Sequence, residues 1–96
     1  MKFLITSRPK KKAFDNIPPE KLKKLYKASH TFAKGTDHDC LYTFPKGGGM
    51  AIVNAESKKE ARAELKQYPM YDLFKWRVRT LNDWDAAFEE IFKQFE

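Results

Sequence analysis

Three consecutive glycines, Gly47, Gly48 and Gly49, separate two short apolar runs, HDCLYTF (38–44) and MAIVNA (50–55). Lys46 directly precedes them, and a glycine-rich loop beside a lysine can either cradle phosphate or turn a chain sharply. A phosphate loop of the Walker type places its lysine after the glycines and then opens a helix. Here the lysine comes first and the residues that follow, MAIV, read as a strand. The stretch therefore reads as a hairpin turn, for which glycine supplies the positive φ. An anion gripped by the free N–H groups of the loop is the lesser alternative. The hairpin sets an antiparallel strand pair in the middle of the chain.

The flanking segments extend that pair. KFLITS (2–7) is a short apolar run and reads as a strand, followed by the polar, proline-marked loop RPKKKAFDNIPP (8–19). A first helix is expected from Pro18-Pro19, because early helical N–H groups lack partners and tolerate proline. Leu22, Leu25, Tyr26, Ser29, Phe32 and Ala33 then share one face, and Gly35 reads as a C-terminal cap. Ser57 with Glu60 forms a capping-box pattern, and the helix it opens is expected to run to about Tyr68 before Pro69. YDLFKWRVR (71–79) alternates as a strand, with Phe74, Trp76 and Val78 opposite Leu73, Lys75, Arg77 and Arg79. Asn82 or Asp83 caps a third helix, whose apolar stripe is Trp84, Ala87, Phe88, Ile91, Phe92 and Phe95. The order β-α-β-β-α-β-α predicts an α+β fold: a ferredoxin-like βαββαβ unit, four antiparallel strands with two helices on one face, and an extra C-terminal helix.

Ninety-six residues suffice for one domain, taken as 1–96, with a thin core. Two helices cover only one face of such a sheet, yet the inner strands are apolar on both. Phe3 and Ile5 oppose Leu4, Met50 and Ile52 oppose Ala51 and Val53, and Cys40, Tyr42 and Phe44 oppose Leu41. A homodimer packed sheet to sheet, or a higher assembly built from it, would cover the second face. The single cysteine forbids an internal disulfide, MKFLITS is shorter than a signal-peptide apolar region, and nothing approaches a membrane span. A soluble cytoplasmic protein is expected.

The stretch GGGMAIVNAESKKEARAELKQYPMYDLFKWRVRTL (47–81) resembles the C-terminal half of muconolactone-isomerase-like proteins of the dimeric α+β barrel superfamily. The shared pattern is a glycine-rich turn, the strand Ala51-Ile52-Val53, the helix start Glu56-Ser57, the element Tyr68-Pro69-Met70-Tyr71 and a last strand over Phe74 to Val78. IPPEKLKKLYKA (17–28) fits the first-helix start. The resemblance implies a small-molecule-binding dimer, and the family's isomerases move a proton on a small lactone without metal or cofactor. It also implies a carboxylate on helix one; this chain has Ser29 or His30 at about that place.

The residues themselves offer a modest site. His30, one turn from Tyr26, is a candidate acid or base. Tyr26, Tyr42 and Trp76 are candidates to line an apolar pocket, and Arg77 is the candidate cation for a ligand's acid group. DHDC (37–40) mixes ligand types, but one short strand cannot converge four of them, so no metal and no cofactor are expected. The net charge of +6 admits an anionic partner, with excess in the loop RPKKK (8–12) and in EKLKKLYK (20–27). Nucleic acid is disfavoured, because ferredoxin-like RNA binders stack bases on aromatics of strands one and three, where this chain offers only Phe3. Two functions remain: a small-molecule binder, catalytic or not, acting on a lactone or carboxylic acid, or a non-catalytic assembly module with a weak nucleic-acid-binding loop.

Overall fold

The glycines make the turn. Gly47 and Gly48 adopt φ values of +100° and +76°. The Gly47 N–H donates to the Phe44 carbonyl at 3.0 Å, and the Phe44 N–H donates to that of Gly48 at 2.9 Å. This hairpin joins β2 (His38–Thr43) to β3 (Gly49–Asn54) in the computed structural model, which describes all 96 residues. With β1 (Lys2–Pro9) and β4 (Phe74–Leu81) the strands form one antiparallel sheet in the order β2-β3-β1-β4. That order and the connections through α1 (Pro19–Lys34) and α2 (Lys58–Leu65) are ferredoxin-like, and α3 (Trp84–Lys93) is the added helix.

Local chemistry sets the helix ends. Ser57 Oγ accepts from the Glu60 N–H at 3.1 Å, and Asp83 Oδ2 from the Ala86 N–H at 3.1 Å. Each cap satisfies an early helical donor. In the capping box of α2 the Glu60 carboxylate reaches past the cap to the Glu56 N–H at 3.3 Å. Gly35 does end α1, but at φ −83°, so its lack of a side chain is not what permits the stop. The expected helix to Tyr68 stops as α-helix at Leu65. The chain continues in tight turns, with Gln67 and Tyr68 N–H groups donating to the Glu64 and Leu65 carbonyls. Residues 71–73, expected as strand, form a short 3₁₀ turn before β4.

The register decides what each face carries. Phe3 pairs with Val53, Ile5 with Ala51 and Val78, and Ser7 with Gly49 and Trp76. Opposed residues in an antiparallel pair share a face, so these look toward the helices. There Phe3, Ile5 and Val78 pack with Ala61 and Leu65 of α2 as the buried core. The other face carries Leu4, Met50, Ile52, Cys40 and Tyr42, with Lys75, Arg77 and Arg79 along the β4 edge. No helix lies over it.

α3 also stands alone. None of its residues is buried, and Trp84, Phe92 and Phe95 are 73%, 61% and 83% exposed. The Cα radius of gyration is 16.4 Å, against about 12.5 Å for a compact chain of this length. The molecule measures 61 × 25 × 21 Å. No helix is long and apolar enough to cross a membrane.

Candidate functional site

α1 is held away from the sheet by aromatic contacts at two places. Tyr26 stacks on Phe14 at 6.4 Å, and Phe32 meets the edge of Tyr68 at 5.9 Å. Between these anchors lies an open cleft of about 1100 Å³ bounded by α1, α2 and the helix-facing side of the sheet. One wall is a run of rings. Phe74 packs on Trp76 and Trp76 on Tyr68, at 5.7 and 5.2 Å, and Phe14, outside the lining, packs on Phe74 at 5.7 Å. Trp76 is fixed in this wall because its Nε1–H donates to the Tyr71 carbonyl at 2.8 Å.

The polar groups divide by depth. On α1, Lys27, His30, Thr31 and Lys34 recur at i, i+3, i+4 and i+7, line the cleft and are exposed. They form its lip. Ser29 faces inward and is only 3% exposed, and its Oγ has no hydrogen-bond partner. Ser7, 7% exposed, accepts the Gly49 N–H at 2.9 Å. Glu64, half-buried on α2, is the one carboxylate in the lining.

Of the residues singled out by sequence, Tyr26, His30 and Trp76 lie around this one cleft. Tyr42 borders it, but pairs with Met50 on the open face and is 66% exposed. Arg77 pairs with Thr6 on that same open face and does not line the cleft. The cations at the cleft are Lys27 and Lys34, which sequence reasoning missed. It also missed Glu64, although Ala61, Glu64, Leu65 and Tyr68 fall at helical spacing on the inner face of α2.

The groups of the 37–40 segment are engaged elsewhere. Asp39 sits at a register break between His38 and Cys40. It accepts from Lys2 Nζ at 2.6 Å and from Asn54 Nδ2 at 3.1 Å, and these bonds hold its carboxyl below the usual range. Asn54 also donates to Asp37 at 3.1 Å, and His38 Nδ1 lies 2.9 Å from the Thr36 carbonyl. On the open face β1 and β3 present Leu4, Thr6, Met50 and Ile52 and no aromatic platform. The loop of Lys10, Lys11 and Lys12 is exposed, with Lys12 at φ +62°.

No family model and no curated protein matches the sequence. Solved structures do match the fold. Muconolactone isomerase superposes with a TM-score of 0.72 at 15% identity, over 86% of this chain and 90% of that one. The 5-chloro-2-hydroxyhydroquinone dehydrochlorinase of Burkholderia phenoliruptrix AC1100, in complex with 2,5-dihydroxybenzoquinone, superposes with a TM-score of 0.61 at 17% identity, over 90% of this chain and 98% of that one. Sheet order, helix placement and this likeness agree: the chain has a muconolactone-isomerase-like α+β fold.

Proposed function

We propose that the chain binds a small, flat or lactone-like acid in the cleft under α1 and acts on it as a cofactor-free isomerase. The observation that carries this reading is the aromatic wall: three packed rings, Phe74, Trp76 and Tyr68, border an open cavity large enough for a small organic molecule. One structural neighbour is in complex with a dihydroxybenzoquinone, and a ring of that size fits the volume. Isomerisation needs a group that takes a proton from one carbon and returns it to another. His30 at the lip and Glu64 on α2 are the side chains of the lining suited to carry it.

The reading includes a second copy of the chain. The open sheet face exposes an apolar patch, and α3 exposes a second. From Asp83 onward the chain carries five carboxylates against one lysine, whereas residues 1–82 carry eighteen basic side chains against eight acidic ones. An acidic, apolar helix and a basic-edged, apolar sheet are complementary surfaces, which favours association between copies.

A thermal-shift screen of lactones and small carboxylates tests the binding. A ligand at ~100 Kd stabilises the fold by about 2.7 kcal/mol, and a hit should act less on His30→Ala. Deuterium uptake from solvent into the bound ligand then tests proton transfer. A broad panel without a hit sinks the reading.

A further inference from the structure

Resting on the reading that a second copy covers the bare surfaces, the charges name the place where it sits. The β4 margin of the open face is basic throughout. Lys75, Arg77 and Arg79 stand there in a row, and Arg8 of β1 is paired in register directly with Lys75. Like charges opposite one another across two strands are destabilising. All four cations are exposed, and none has a carboxylate partner: the two ion pairs of the chain are Lys2–Asp39 and Lys93–Glu90. A repulsive row without counter-charge favours an anionic partner.

α3 carries the matching charge. Asp85 and Glu89 are exposed and unpaired, and each follows an aromatic of the apolar stripe, Trp84 or Phe88, by one residue. They therefore form an acidic flank along one side of that stripe. Four helical residues rise about 6 Å, and alternate strand residues lie about 6.7 Å apart, so the two carboxylates fall in step with Arg77 and Arg79. Inside the basic row, Leu4 of β1 and Ile52 of β3 stand in register with Arg79 and offer an apolar strip. The chain's own α3 does not use these surfaces, since it buries none of its residues. We propose that α3 of a second copy lies along the β4 margin of the open face, its stripe turned to the apolar strip and its Asp85 and Glu89 set on the basic row. In a twofold pair each copy gives one such arm and receives one. Covering Trp84, Phe92 and Phe95 in both arms, with the surface they meet, removes on the order of 1000 Å² from water, the scale of a specific interface.

Sedimentation velocity tests this on the intact chain, on R77E/R79E, on D85K/E89K and on an equimolar mixture of the two variants. All four substituted side chains are exposed, so the circular dichroism of each variant should match that of the intact chain. The intact chain should dimerise, and more weakly as salt rises. Each variant alone sets like charges against each other in both arms and should dimerise roughly a hundredfold more weakly. The mixture should restore the dimer, because each arm then meets a row of opposite charge. Full dimerisation of D85K/E89K overturns the arm contact and leaves association through the sheet faces standing. A mixture that fails to associate overturns the pairing of arm with row. An intact chain that stays monomeric removes the second-copy reading and the arm with it.

Discussion

Trp76 donates its indole N–H to the Tyr71 carbonyl at 2.8 Å while the two rings lie 9° from parallel at 6.0 Å. The 3₁₀ turn before β4 and the wall of the cleft are therefore tied by one side chain. Trp76→Phe keeps a ring but removes the donor and part of the volume, leaving a carbonyl without its partner. Stability to urea should fall by about 1–2 kcal/mol. Ligand affinity should fall with it, because Trp76 touches three of the neighbouring rings, those of Tyr68, Tyr71 and Phe74.

Gly48 cannot be replaced quietly. It holds φ +76°, and a Cβ there would overlap the Ser7 carbonyl oxygen of β1. Gly48→Ala meets both problems together. The backbone conformation alone costs roughly 1–3 kcal/mol for a residue with a side chain, and the overlap with main chain adds to it. Gly35→Ala is the control: at φ −83° an added Cβ meets only ordinary contacts, Phe32 and Thr31 oxygens at 3.5 and 3.6 Å. Equal unfolding midpoints for the two variants would contradict this account.

Much of the fold is written in local signals. Gly47 and Gly48 announce the hairpin, Ser57 and Asp83 announce helix starts, and alternation in β4 separates Trp76 from Arg77. Those signals are legible because each satisfies a backbone requirement within a few residues of itself. The register break at Asp39 is not legible, since it depends on Lys2 and Asn54, which lie far along the chain. The same holds for the site. Trp76, Tyr26 and His30 follow from spacing, and Glu64 was available from the same spacing. That Ser29 lacks a partner is a property of three-dimensional neighbours, and no pattern in LYKASHTF reveals it. Only the sheet pairing shows that Tyr42 and Arg77 share one face and that this face is the uncovered one.

Ser29→Ala should stabilise the unliganded protein. The hydroxyl is buried without a bond, and such a group costs about 1–3 kcal/mol relative to a satisfied one. Alanine is also the better helix former. A gain on the order of 1 kcal/mol in chemical denaturation is expected. A destabilised variant would mean that Ser29 supports the fold.

Acid should loosen the β2–β3–β1 end of the sheet through Asp39. Lys2 and Asn54 bond its carboxylate, so its folded pKa lies below the unfolded value of about 3.9. A lowered carboxyl pKa adds stability that is complete above the unfolded value and is lost as pH falls through the folded one. Asp39→Asn should lose less stability than the wild type as pH falls through that window, with the difference opening below about pH 4. The group is exposed and its ion pair is open to solvent, so 1 M salt should shrink the difference. Parallel acid limbs for the two proteins would exclude Asp39 as their cause.

Self-association separates two surfaces that the monomer leaves bare. Ile52 sits on the open sheet face between Leu4 and Cys40, and a lysine there would place a charge in any sheet-to-sheet contact. α3 carries Trp84, Phe88 and Phe92 at successive turns, with ring centroids 4.7 and 5.9 Å apart. It buries none of its residues against its own sheet. Ending the chain at Asn82 should therefore leave the circular dichroism of the sheet and the unfolding midpoint of a monomer nearly unchanged. In sedimentation velocity at micromolar concentration the intact chain should run as a dimer or larger. Ile52→Lys should shift it to monomer if the sheet faces meet, and the chain ending at Asn82 should do so if α3 provides the contact. Val53→Lys is the counter-test, because Val53 pairs with Phe3 on the helix side and packs against the core. It should unfold the protein and not merely dissociate it. An intact chain that stays monomeric and well folded at these concentrations would leave both apolar faces without the covering copy proposed here.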